Sequence, residues 1–165
     1  MEIVSYIIIG IIVIIFYSSY NFYDTKYETV NYLLRPLYHA NMSHLIANSI
    51  SLYALSFMEE IIGRTQFLLA IIFIWIVSSI ILYIIHLLLP SRKVYTVGFS
   101  GVIFGLIVIY YFMLNRSAGI TLAGLVISII PQLFIRGISF EGHLSGIIAG
   151  FIYVFLFPVP KYITS

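Results

Sequence analysis

The chain has 165 residues, 62% of them hydrophobic and 8% charged, and a mean hydropathy of +1.11, whereas soluble domains carry about 25% charged residues. A net charge of +2 with no basic stripe excludes a nucleic-acid surface, and the lack of cysteine excludes disulfides, thiol catalysis and thiolate metal sites. This is the composition of a polytopic membrane protein, and apolar segments fill the sequence almost end to end.

The first apolar run, about 3–20, follows Glu2 without the basic start or Ala-x-Ala-like exit of a signal peptide, which predicts a retained helix. A polar connection to about Asn41 carries Asp24, Lys26, Glu28, Arg35 and Pro36. The second helix is expected over 43–58, with Ser, His and Asn on its first turns and a charged stop at Glu59, Glu60, Gly63 and Arg64. The third, 66–89, is long enough to span a bilayer with some tilt and ends at Pro90-Ser-Arg-Lys93. A fourth over 98–114 is closed by Asn115-Arg116-Ser117, and a fifth over 118–135 is weakened by Pro131. The sixth, 143–157, stops at Pro158 and Pro160. The expected fold is all-α: a bundle of six transmembrane helices forming one domain over 1–165, with both termini on one side.

Six crossings impose a parity rule. The second, fourth and sixth helices run in the same direction, so their starts share one membrane side. His44 and Asn48 open the second, Ser100 the fourth and His143 the sixth. Polar groups able to do chemistry therefore meet at one level, and an intramembrane histidine faces the bundle interior or water because exposure to lipid is costly. Ser100 lies between Gly98-Phe99 and Gly101. Gly101-x-x-x-Gly105 follows it, and Gly146-x-x-x-Gly150 begins three residues after His143. Small residues four apart make a flat groove through which helix backbones approach closely. Each such groove alone does no more than hold a bundle together; two of them abutting a serine and a histidine at matching depth bring those side chains within reach.

The chemistry these groups permit is acyl transfer, with Ser100 as nucleophile and His143 as base. His44 and Asn48, four apart on one face, and the backbone N–H of Ser100 are candidate oxyanion donors. Phe104, one turn beyond Ser100, is placed to pack under the His143 ring. No acid completes a triad: Glu141 at a helix entrance more often interacts with the helix dipole, so a dyad is preferred. His86 reads as an interfacial residue snorkelling to water, and the Tyr and Phe residues mostly as a lipid-facing or interfacial belt. His39 and His44 are five apart, about 140° around a helix, a poor geometry for one metal. A site built from His39, His44 and His143 is conceivable, but no membrane-embedded carboxylate stands near to complete it, so no metal is expected.

His39-Ala-Asn-Met-Ser-His44-Leu-Ile-Ala-Asn48, Gly98-Phe-Ser100-Gly101 and Gly142-His143-Leu-Ser-Gly146-Ile-Ile-Ala-Gly150 resemble the three signature motifs of the rhomboid intramembrane serine proteases, in the family's order. The resemblance covers essentially the whole chain. It implies Ser100 as nucleophile, His143 as general base, His44 and Asn48 as oxyanion-hole donors and Gly98 in the loop shaping that hole. It also implies single-span transmembrane proteins as substrates, in the lipid bilayer, with neither metal nor cofactor. Glu59 and Gly63 resemble the end of the family's Gly-x3-Glu-x3-Gly motif, whose first glycine is Leu55 here. The family's Trp-Arg pair in the first loop is absent, and Phe104 stands where bacterial members often carry Tyr.

The resemblance implies an active site near the outer face of the cell membrane. That puts Arg64, Arg116 and Lys161 inside, with Lys26, Arg35, Arg92, Lys93 and Arg136 outside, against the positive-inside rule; the motifs are given precedence. The alternative is a non-catalytic protein that binds or transports substrates through the same bundle. The loop from Arg136 to Gly142 and the fifth helix, bordering His143 and carrying Pro131 and Gly137, are the expected gate.

Overall fold

The computed structural model describes residues 2–18, 26–90, 97–114, 117–134 and 139–161. Among these residues every regular element is helical: α1 (Ile3–Tyr17), α2 (Glu28–Leu34), α3 (Met42–Ala54), α4 (Met58–Ile62), α5 (Arg64–Leu88), α6 (Ser100–Met113), α7 (Ala118–Ile129) and α8 (Phe140–Leu156), with 3₁₀ turns at Arg35–Leu37 and Ile130–Phe134. Asp24, Arg92, Lys93, Arg116, Arg136 and the Gly137 part of the expected gate lie outside the described residues.

Six long helices are expected; among the described residues there are eight, of which α2 and α4 are short, with 7 and 5 residues. α5 has 25 residues without Gly or Pro and rises about 37 Å at 1.5 Å per residue. Among the described residues it is the one helix long and apolar enough to cross a membrane by length and composition alone. The expected second helix breaks after Ala54. Leu55, Ser56 and Phe57 turn the chain, and α4 then brings Glu59 back toward the N-terminus. Glu59 accepts from the Ile3 and Val4 backbone N–H groups at 3.0 and 2.9 Å, and from Arg64 Nε at 3.1 Å. The orphan donors at the start of α1 are thus capped from another helix. Gly63, at φ 86°, makes the turn into α5 in a region open to glycine.

α8 starts at Phe140, three residues before the expected start, because Ser139 Oγ accepts from Gly142 N at 2.8 Å as an N-cap. The apolar pattern alone hides this start, since the first turn, Phe-Glu-Gly, is mixed. α7 tightens into 3₁₀ geometry at Ile130–Phe134, where Pro131 supplies no N–H. α2 forms within the expected polar connection. Tyr32 is its buried anchor, and Trp75 Nε1 on α5 donates to Leu33 O at 2.6 Å.

α2 corrects the reading of His86. Rather than snorkelling to water, His86 is 4% exposed, with Nδ1 2.6 Å from the Tyr32 hydroxyl; the unforeseen helix covers it. The aromatic belt is likewise partial, since Phe67, Phe99, Tyr32 and Tyr153 are buried.

The main core gathers Leu52, Met58, Phe67, Ile71, Ile74, Phe99, Leu106, Ile109, Met113 and Tyr153 from α3 to α8. A smaller cluster of Val108, Leu125, Ile129 and Ile147 fixes α7 against α6 and α8. Outer faces carry Ile7, Ile11 and Ile14 on α1 and Leu69, Ile72, Ile76, Ile80 and Ile84 on α5, all exposed. Continuous apolar outer faces suit a lipid solvent rather than water.

α6 and α8 are in backbone contact through the two glycine grooves. A Cβ on Gly146 would land on the carbonyl oxygen of Gly101. One on Gly150 would lie 2.6 Å from the Gly105 oxygen, and one on Gly105 2.9 Å from the Gly146 oxygen. Glycine is required at these positions by space, not by backbone angle.

Candidate active site

Three helix starts converge at one end of the bundle. α3 is capped by Asn41, whose Oδ1 accepts from His44 N at 2.9 Å, so His44 lies on the first turn and Asn48 one turn deeper. Ser100 is the first residue of α6 and His143 the fourth of α8. Because the glycine grooves hold these two helices together, the half-buried His143 Nε2 lies 2.8 Å from Ser100 Oγ. The Phe104 ring packs against the His143 imidazole, centroids 4.5 Å apart and planes 33° apart.

The remaining members surround a cavity of about 560 Å³ lined by His44, Asn48, Gly98, Ser100, Phe104, Ser139 and His143. Gly98, at φ 121°, lies directly beneath the His44 ring: a Cβ there would come 2.5 Å from His44 Cε1. Its N–H donates to Arg35 O at 3.1 Å, which ties this loop to the turn after α2. Arg35 itself is buried, with its guanidinium 4.7 Å from the centre of the Tyr32 ring. Asn48 is 4% exposed and donates one Nδ2 hydrogen to His44 O at 2.9 Å, which leaves a second hydrogen on the same nitrogen. His39, in the segment before α3, stacks edge-on against His44 at 5.1 Å. Burial, reinforced by the His44 ring, lowers its pKa to about 4, so His39 is neutral at pH 7.

The structure therefore brings together Ser100, His143, His44, Asn48, Gly98 and Phe104, with Gly101, Gly105, Gly146 and Gly150 forming the contact behind them. Glu141 lies in the first turn of α8 and is not among the residues lining the cavity. No group of three or more His, Cys, Asp or Glu is placed to hold a metal among the described residues. One contact was not legible in the sequence: His143 Nδ1 meets Gln132 Oε1 in the 3₁₀ turn after α7. The available signal was that Gln132 is the lone side-chain amide of the fifth apolar run.

Among the described residues the chain is an all-helical, apolar-faced bundle with a hydroxyl–imidazole pair at the head of two glycine-packed helices. A sequence profile described as the Rhomboid domain matches residues 26–159. The chain belongs to the rhomboid family, whose members are membrane proteins. It is 58% identical over 161 residues to a protein of Acanthamoeba polyphaga mimivirus named as a candidate rhomboid protein, covering 98% of this chain and 94% of that one. It is also similar to a Bacillus subtilis protein named as a candidate rhomboid protease, at 33% identity over 134 residues, 75% of this chain and 65% of the other. An uncharacterized Mycobacterium tuberculosis protein matches at 30% over 142 residues, 78% of this chain and 59% of its own length.

Proposed function

We propose that this protein is an intramembrane serine endopeptidase that hydrolyses peptide bonds of single-span transmembrane proteins through Ser100 and His143. The observation that carries the reading is the 2.8 Å contact between His143 Nε2 and Ser100 Oγ at the edge of a cavity that His44 and Asn48 also line. In the proposed reaction, Nε2 takes the hydroxyl proton as Oγ bonds to the scissile carbonyl carbon. The tetrahedral oxyanion forms beside His44, the free Nδ2 hydrogen of Asn48 and the Ser100 backbone N–H, with Gly98 shaping the loop. Collapse expels the amine, which carries away the proton returned by His143. Water, deprotonated by the same nitrogen, then bonds to the acyl carbon as the C–Oγ bond breaks, and Oγ takes the proton back from His143.

In this reading the apolar helices cross a bilayer several times, and the converging helix starts lie near its outer face. Lipid surrounds the substrate helix and the enzyme alike, and neither metal nor cofactor takes part. The test is cleavage of a single-span model substrate by the purified protein reconstituted in lipid. Pretreatment with a serine-reactive fluorophosphonate is expected to stop it, and undiminished cleavage after pretreatment would overturn the reading.

Asn48→Ala supplies a second check on the oxyanion assignment. Removing one donor of this kind typically lowers kcat by about 10²–10³-fold. The expected result is a loss of that size with little change in thermal unfolding. Unfolding of the bundle would instead make Asn48 a structural residue.

A further inference from the structure

The chemistry above uses one nitrogen of His143 and leaves the other unassigned. That other nitrogen, Nδ1, meets the side-chain oxygen of Gln132. With the amide oxygen as acceptor, Nδ1 carries the ring proton, and a neutral imidazole then has a bare Nε2. The bare nitrogen is the one facing Ser100 Oγ. We propose that Gln132 is a positioning residue that holds His143 in the tautomer and orientation in which Nε2 acts as the base, an assignment that rests on the protease reading.

Three further observations support it. First, the segment carrying Gln132 is anchored. Ile129, just before the turn, is fully buried and packs with Leu125 against Val108 and Ile147. Second, the chain tightens into a 3₁₀ turn at Ile130–Phe134, where Pro131 supplies no N–H. Third, the ring is gripped on its other sides by Phe104 and Ser100, so the Gln132 contact completes its fixation.

The choice of an amide has a physical logic. Histidines that act as bases or ligands are usually oriented by a third group on the other nitrogen, often a carboxylate. A carboxylate within a membrane bundle carries a large desolvation cost. An amide oxygen gives the same acceptor without a charge, and an amide fills this role in Cys-His-Asn proteases. Glu141, two residues before His143, is displaced by about 200° around the helix.

The experiment is a pair of readouts on the purified full chain. Long-range ¹H–¹⁵N correlation of the histidine rings, with His143 assigned by comparison with His143→Gln, is expected to show the Nδ1–H tautomer in the wild type. Gln132→Leu, which keeps bulk and removes the acceptor, is expected to shift it toward a mixture with Nε2–H. The same variant is expected to lose roughly 10- to 100-fold in kcat, with KM and melting temperature unchanged. Gln132→Glu restores an acceptor and, at the cost of a lower melting temperature from its half-buried carboxylate, is expected to recover kcat to within severalfold of the wild type in the folded protein. A wild-type ring in the Nε2–H form overturns the proposal, whether or not Gln132→Leu folds. So does a Gln132→Leu protein with wild-type kcat, or a Gln132→Glu protein as slow as Gln132→Leu. The tautomer is read without any cleavage, so an inactive wild type with an Nδ1–H ring would refute the protease reading separately.

Discussion

Ser100→Ala is expected to abolish fluorophosphonate labelling and to lower substrate cleavage on the order of 10⁴-fold or more, the scale on which loss of a serine nucleophile acts. The substitution removes one oxygen from a half-buried position at the start of α6. The fold should therefore survive it, with a melting temperature close to wild type. His143→Ala is expected to act on the same scale, because an unassisted hydroxyl is a poor nucleophile. The double variant should be no worse than either single one, since the two side chains act as a unit and their losses do not add. Equal labelling of wild type, Ser100→Ala and His143→Ala would sink the protease reading and leave the non-catalytic binding protein in its place. Cleavage persisting in Ser100→Ala would have the same force.

The second large effect is one of packing. Gly146→Ala places a methyl group on the Gly101 carbonyl, with the Gly101 carbon at 2.6 Å and Cα at 3.0 Å. These are backbone atoms and cannot rotate aside, so α6 and α8 must part. Overpacking of this kind costs about 1–3 kcal/mol, and Gly146→Val, with two more methyl groups, should lie at or beyond the upper end. Parting the helices also stretches the 2.8 Å contact between His143 and Ser100, so kcat should fall even in molecules that remain folded. Gly119→Ala and Gly124→Ala on α7 serve as controls, because a Cβ at either meets nothing within 4 Å. They should be neutral or stabilising by up to about 1 kcal/mol, the ordinary gain of alanine over glycine in a helix. The measurement is thermal unfolding in detergent alongside turnover, and a Gly146→Ala curve like that of Gly124→Ala would refute the packing argument.

The grouping of Ser100, His143, His44 and Asn48 was legible because it is written in short spacings. His44 and Asn48 are four apart, the glycine grooves adjoin Ser100 and His143, and helix direction alone puts these starts at one end. Phe104 follows from one helical turn. What escaped depends on contacts that no local pattern encodes. Gln132 is eleven residues from His143 across a turn, and Glu59 reaches back 55 residues to Val4. α2 hides in a polar stretch because its anchors, Tyr32 and the Leu33 carbonyl, are held by α5, and the burial of His86 follows from α2. The early start of α8 depends on Ser139, which lies outside the apolar run.

The glycine contact between α6 and α8 also has a mechanical consequence. With backbone against backbone over just more than one turn, from Gly101 and Gly146 to Gly105 and Gly150, the two helices are locked against sliding past each other. Ser100 and His143 therefore ride on a single rigid strut. On the protease reading, an opening that admits a substrate helix is then a displacement of the elements around that strut, with the hydroxyl–imidazole pair kept assembled.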